Sequence, residues 1–154
     1  MHKYVATITW QRNSEVFTDN RYSRAHAWHF DGGITLPASS SPQVVPLPMS
    51  SASAVDPEEA LIAASSSCHM LSFLYVAARE GYVVDSYADE AYGLLERIER
   101  RKMAVTRIFL RPRIVFSSDK QPTPDELANL HHLAHEECYI ANSLKTEIVV
   151  EASD

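Results

Sequence analysis

From Ala60 to Ala78 this chain has no Asp, Glu, Lys or Arg. No other feature restricts its possible folds so strongly. Asp56-Pro57-Glu58-Glu59 precedes the stretch and Gly81 follows it. Asp56 can cap free amides, Pro57 suits a first helical turn, and the two glutamates favour the positive end of the dipole. The pattern predicts a central helix over 57–80, closed by Gly81. A helix apolar nearly all round must be buried in a core or an interface. Its length would also span a bilayer. Ser65, Ser66, Ser67, Ser72 and His69 interrupt it, however, and no second span or flanking basic cluster favours insertion. The expectation is therefore a core helix of a soluble protein, with no membrane partner.

The rest of the chain reads as β-rich. Lys3 to Gln11 alternates Tyr4, Ala6, Ile8 and Trp10 against Val5, Thr7 and Thr9, the pattern of a half-buried strand. A second extended piece is expected near Val16. Ala27 to Ala38 should form a hairpin around Asp31-Gly32-Gly33, which can supply the positive φ values of a tight turn. Residues 37–57 hold five of the eight prolines and many serines. Proline removes donors and restricts φ, so an irregular connection is expected. Its Val44, Val45, Leu47 and Met49 favour packing over a cleft or partner rather than a solvated linker. Residues 82–117 are read as a β-hairpin. Ala104, Thr106, Ile108, Leu110, Ile114 and Phe116 share one face, and Glu99 to Lys102 makes a charged tip. Thr123-Pro124-Asp125-Glu126 opens a second helix, 124–138, as a capping box. Leu144 to Glu151 alternates as a final strand. The order βββ, helix, ββ, helix, β indicates a single α+β domain over 1–154, with a β-rich part over 1–38.

A net charge of −6 argues against nucleic-acid binding, which needs a basic face to displace counterions. Arg97 with Arg100 to Lys102 reads as a solvated turn. Two cysteines are too few for a secreted disulfide scaffold, and MHKYVATITW lacks a signal-peptide apolar run, so a cytoplasmic location is expected.

Cys68 lies mid-helix with Ser66, Ser67 and His69 beside it in sequence, polar neighbours that an inert core cysteine does not need. Burial alone would keep either Cys68 or Cys138 protonated unless a cation is near. His131, His132, His135 and Cys138 have the spacing of a catalytic zinc set. No HExxH or paired CxxC supports that, and a polar helix face with a buried cysteine is the better reading. There is no GxSxG elbow and no glycine-rich phosphate loop.

Two segments carry a resemblance. Asp56-Pro57-Glu58-Glu59-Ala60-Leu61, then Ala63-Ala64 and Cys68, resembles the helix motif of the OsmC/Ohr proteins. His135-Glu136-Glu137-Cys138-Tyr139-Ile140-Ala141-Asn142-Ser143 resembles their resolving-cysteine segment, with Tyr139 where proline is common. Tyr22-Ser23-Arg24-Ala25-His26 and Phe30-Asp31-Gly32-Gly33 are similar to an OsmC-like branch distinct from the hydroperoxide-resistance enzymes themselves. The resemblance implies an OsmC-like fold with antiparallel sheets around long central helices, an intertwined homodimer, and thiol-dependent reduction of organic hydroperoxides in oxidative-stress defence. It also implies a cellular thiol reductant as partner and no metal or organic cofactor. It places Cys68 as the peroxidatic cysteine, Cys138 as the resolving cysteine, Glu58 as the motif glutamate and Arg24 as the activating arginine, with Arg21 as the substitute. The alternative is a non-catalytic OsmC-like dimer that binds an apolar ligand or acts in the stress response.

That site has a geometric requirement. Glu58 and Cys68 are ten residues apart, roughly 15 Å along a straight helix and on different facets. One arginine cannot readily touch both within one chain, so the Glu58–Arg24 pair is expected to reach Cys68 from the other subunit.

Overall fold

The computed structural model describes residues 1–117 and 119–151. The chain divides into two compact units, Met1–Ala60 and Leu61–Asp154.

The first unit carries an antiparallel sheet of β1 (Ala6–Thr9), β2 (His26–Phe30) and β3 (Thr35–Ala38), in that order. The expected hairpin is present: His26 pairs with Ala38 and His29 with Thr35. Gly33 takes φ +89° and its amide bonds to the Phe30 carbonyl at 3.0 Å, a backbone state that L side chains adopt only with strain. Strand β1 is shorter than its alternation suggested and is exposed on both faces. The segment near Val16 is not a strand. Trp10, Phe17 and Tyr22 gather it into an aromatic cluster, with Phe17 and Tyr22 stacked at 4.5 Å. Residues 39–55 are tied down by hydrogen bonds, and Val45 and Met49 are partly buried. The Ser39 amide bonds to the Val55 carbonyl at 3.0 Å, and the buried Ser39 hydroxyl accepts from the Ser51 amide at 3.0 Å. Val44 and Leu47 remain exposed.

Helix α1 (Pro57–Arg79) opens on Asp56, whose carboxylate accepts from the Glu59 amide at 2.8 Å while Glu59 accepts from the Asp56 amide at 3.3 Å. This is a capping box with both partners in place. Gly81, at φ +80°, ends the helical turn. By length and composition α1 could cross a membrane. Here it buries one face, Ser65, His69, Phe73, Val76 and Ala77.

In the second unit the expected hairpin over 82–117 is two nested hairpins. β5 (Tyr92–Glu99) pairs with β6 (Lys102–Leu110), and β4 (Val84–Asp89) pairs with β7 (Pro112–Phe116), all antiparallel. Pro112 has no amide to donate, and the Asp89 carboxylate accepts from the Arg111 amide at 2.7 Å, so the ladder breaks there. The tip is charged as expected, with Lys102 and Glu99 paired at 2.7 Å. Helix α2 (Pro124–Glu137) has the anticipated capping box, Thr123 and Glu126 bonding reciprocally at 3.2 and 2.7 Å. A short helix not expected from the sequence, α3 (Tyr139–Ser143), follows. β8 (Glu147–Val150) then lies parallel to β6. Phe73, Val76 and Ala77 of α1 pack with Leu130 and Ala134 of α2, and Tyr87, Ile114 and Phe116 close this core from the strands.

Candidate functional site: a paired thiol beside a buried histidine pair

The two cysteines lie seventy residues apart in sequence and meet in the second unit. Cys68, on α1, is partly exposed; Cys138 is buried; neither is in a disulfide. The Cys68 thiol lies close enough to Cys138 to act on its titration. The meeting depends on how α2 ends. Cys138 has extended backbone angles (φ −78°, ψ 111°), so it closes α2 and caps α3, and its sulfur accepts from the Ala141 amide at 3.5 Å. Burial pushes the Cys138 thiol above its ordinary pKa; the Ala141 and Ile140 amides oppose that, and the Cys68 thiol adds to it. Cys138 is thus a protonated, sheltered thiol beside a more accessible one.

The polar neighbours of Cys68 in sequence do not surround its sulfur. The Ser65 hydroxyl donates to the Leu61 carbonyl at 2.8 Å, and Ser66 donates to Asp89. His69 turns into the core, where its Nε2 lies 3.0 Å from Nδ1 of His131 and the two rings meet edge to edge, nearly coplanar, with centroids 5.3 Å apart and an 11° tilt. Burial first, then the neighbouring His131 and His135, holds the His69 pKa down to about 4. Burial alone takes His131 to about 4. Both rings are neutral at pH 7. Nothing in a one-dimensional pattern joins positions 69 and 131, so this pair is not legible in the sequence. Of the residues with zinc-like spacing, His131 faces His69 and Cys138 lies beside Cys68. Among the described residues no three His, Cys, Asp or Glu side chains converge as a metal site.

Arg24, Arg21 and Glu58 belong to the first unit. Arg24 folds back on its own loop. It donates to the Tyr22 carbonyl and to Asn20 Oδ1 at 2.8 Å, and its guanidinium lies 3.8 Å from the centre of the Tyr22 ring. It makes no ion pair among the described residues. Arg21 is exposed, and its amide bonds to the Asp19 carboxylate at 2.9 Å. Glu58 is partly exposed in the first turn of α1.

An α+β chain with a long apolar helix that brings one cysteine to a second, helix-capping cysteine is a paired-thiol protein. The family model for OsmC-like proteins matches residues 50–153, which include both cysteines, and the chain belongs to that family. A Vibrio cholerae structure described as an OsmC-like protein of unknown function is 54% identical, with a TM-score of 0.94 over 99% of this chain and all of that one. Two organic hydroperoxide resistance proteins share the fold. The one from Legionella pneumophila has 15% identity and a TM-score of 0.73, over all of this chain and 98% of its own. The one from Elizabethkingia anophelis has 17% identity and a TM-score of 0.73, over 99% and 94%. No curated protein matches the chain.

Proposed function

We propose that this protein is a cysteine-based peroxidase that reduces organic hydroperoxides, acting as a cytoplasmic homodimer in oxidative-stress defence. The observation that carries the reading is the proximity of a partly exposed thiol, Cys68, to a buried one, Cys138. The Cys68 thiolate attacks the outer peroxide oxygen, the O–O bond breaks, and the leaving alkoxide takes a proton to become the alcohol. Cys68 is then a sulfenic acid. The Cys138 sulfur attacks it, an S–S bond forms and water leaves; an external dithiol reduces the disulfide and is itself oxidised. Cys138 suits the second role because its raised pKa keeps it from competing for peroxide.

The dimer is supported by what α1 leaves uncovered. Ala64, Leu71, Tyr75 and Ala78 form an exposed stripe at helical spacing, with Leu71 at 61% and Tyr75 at 63% exposure. A second copy covering this stripe would lie beside Cys68. Arg24 with Glu58 would then supply the cation and its orienting carboxylate from the partner, which requires Arg24 to leave its contacts with Asn20 and Tyr22.

Mass spectrometry after one equivalent of cumene hydroperoxide tests the reading. A Cys68–Cys138 disulfide in the wild type, loss of peroxide consumption in Cys68→Ser, and a trapped Cys68 sulfenic acid in Cys138→Ala are expected. Unmodified cysteines after treatment would refute it. The loop-bound Arg24 favours one other reading, an OsmC-like dimer without catalysis, and that outcome would select it.

A further inference from the structure

The second unit contains a cavity of about 590 Å³ that no cysteine lines. That volume is in the range of small-molecule sites. One wall is aliphatic, with Ile114 of β7 and Ile148 and Val150 of β8. The facing wall is helix α2, with Ala128 and the imidazoles of His131, His132 and His135. Glu151 contributes a carboxylate that already accepts from the Tyr92 hydroxyl at 3.3 Å.

The His131 ring is held before any ligand arrives. Its Nδ1 is taken by His69 in a nearly coplanar, edge-to-edge pair, and its ring centre lies 4.5 Å from that of Phe73. Its Nε2 is the nitrogen left for the cavity. The tautomer follows from His69, which is 1% exposed and whose Nδ1 has no partner. Were His69 Nε2 the acceptor, a neutral His69 ring would carry its proton on Nδ1 as a buried, unpaired N–H. Orphan N–H groups are the rarer and costlier defect. His69 therefore donates through Nε2, His131 accepts at Nδ1, and His131 Nε2–H is a donor. A ligand atom there must accept. Glu151 disfavours an anion, and a carboxylate accepts but cannot donate. An uncharged group that both accepts and donates suits an imidazole N–H beside a carboxylate, and a flat apolar body suits the aliphatic wall opposite the helix.

We infer that this cavity is a binding site for an uncharged hydroxy-aromatic molecule of the phenol class, with its hydroxyl at His131 and its ring on Ile114 and Ile148. The site is independent of the thiol chemistry proposed above.

Isothermal titration of the full chain with 2-naphthol tests this, with 2-naphthoate as the anionic counterpart. One saturable site per chain is expected, with 2-naphthoate about tenfold weaker or more. Ala128 is exposed on α2, so Ala128→Phe fills the cavity without disturbing the core and should weaken 2-naphthol about tenfold. If its melting curve shows that Phe is not tolerated, Ala128→Leu replaces it with the same expectation of weaker binding. Absence of saturable binding up to millimolar 2-naphthol, equal affinity for the naphthoate, or an unchanged affinity in the folded Ala128 variant would each overturn the inference.

Discussion

Acidification should act on this protein through the His69–His131 pair. In the unfolded chain each ring titrates near 6.5, whereas in the fold each is held to about 4. Between these values the unfolded state binds more protons, so unfolding is favoured as pH falls. The fold keeps its full stability above pH 6.5 and loses it progressively as the pH drops towards 4. For a single ring the loss by pH 4.5 is roughly 2 to 3 kcal/mol at 1.36 kcal/mol per pKa unit. The unfolded chain takes up both protons, so the losses of the two rings add to roughly 5 kcal/mol for the pair. Against a total stability of about 5 to 15 kcal/mol, that is a large fraction. Urea unfolding at pH 7.5, 6.5, 5.5 and 4.5 reads it as a falling midpoint at constant slope. Carboxylates also titrate near the lower end, so a control is needed. Replacing both rings by leucine removes the two polar groups together and should be nearly neutral at pH 7.5. The double variant should then keep roughly 5 kcal/mol more of its stability than the wild type on going to pH 4.5. His131→Leu alone strands the second nitrogen of His69 and should cost about 1 to 3 kcal/mol at pH 7.5. Parallel stability losses in the wild type and the double variant would refute the argument.

Three further substitutions test the packing. Phe73 is fully buried between α1, α2 and the strands, so Phe73→Ala should destabilise by about 3 to 5 kcal/mol in the same urea assay. A Cβ on Gly93 would lie 2.9 Å from Ile62 Cδ1 and 3.2 Å from Val105 Cγ1, so Gly93→Ala should cost about 1 to 3 kcal/mol as β5 is pushed from α1. The companion Ile62→Val, which shortens the obstructing side chain, should restore part of that loss. Thr123→Ala removes half of the α2 capping box and should lower stability by about 1 kcal/mol, seen as a lower melting temperature without change in the folded circular dichroism spectrum.

Local chemistry made several elements legible. The boundaries of α1 and α2 follow from Asp56, Thr123 and Gly81, because caps and positive φ act over three or four residues and need no tertiary partner. The burial of Ile108 and Leu110 follows from strict alternation. Long-range pairing was less legible. The pattern over 82–117 suits a single hairpin, but the break at Asp89 and Pro112 depends on a carboxylate meeting an amide twenty-two residues away. The parallel β6–β8 pairing likewise follows a connection that contains two helices.

The order of residues alone requires a buried or shared apolar helix, fixes where that helix starts and stops, and puts a cysteine on it. Periodicity and capping are properties of neighbouring residues, and they survive in any fold. That Cys138 leaves α2 on an extended residue beside Cys68, and that His69 turns into the core to hydrogen-bond His131, follows from packing alone. Both outcomes depend on burial, which raises the Cys138 thiol, neutralises the two rings and makes an unpaired nitrogen costly. Burial belongs to the packed molecule, because it exists only once distant segments have excluded water from one another.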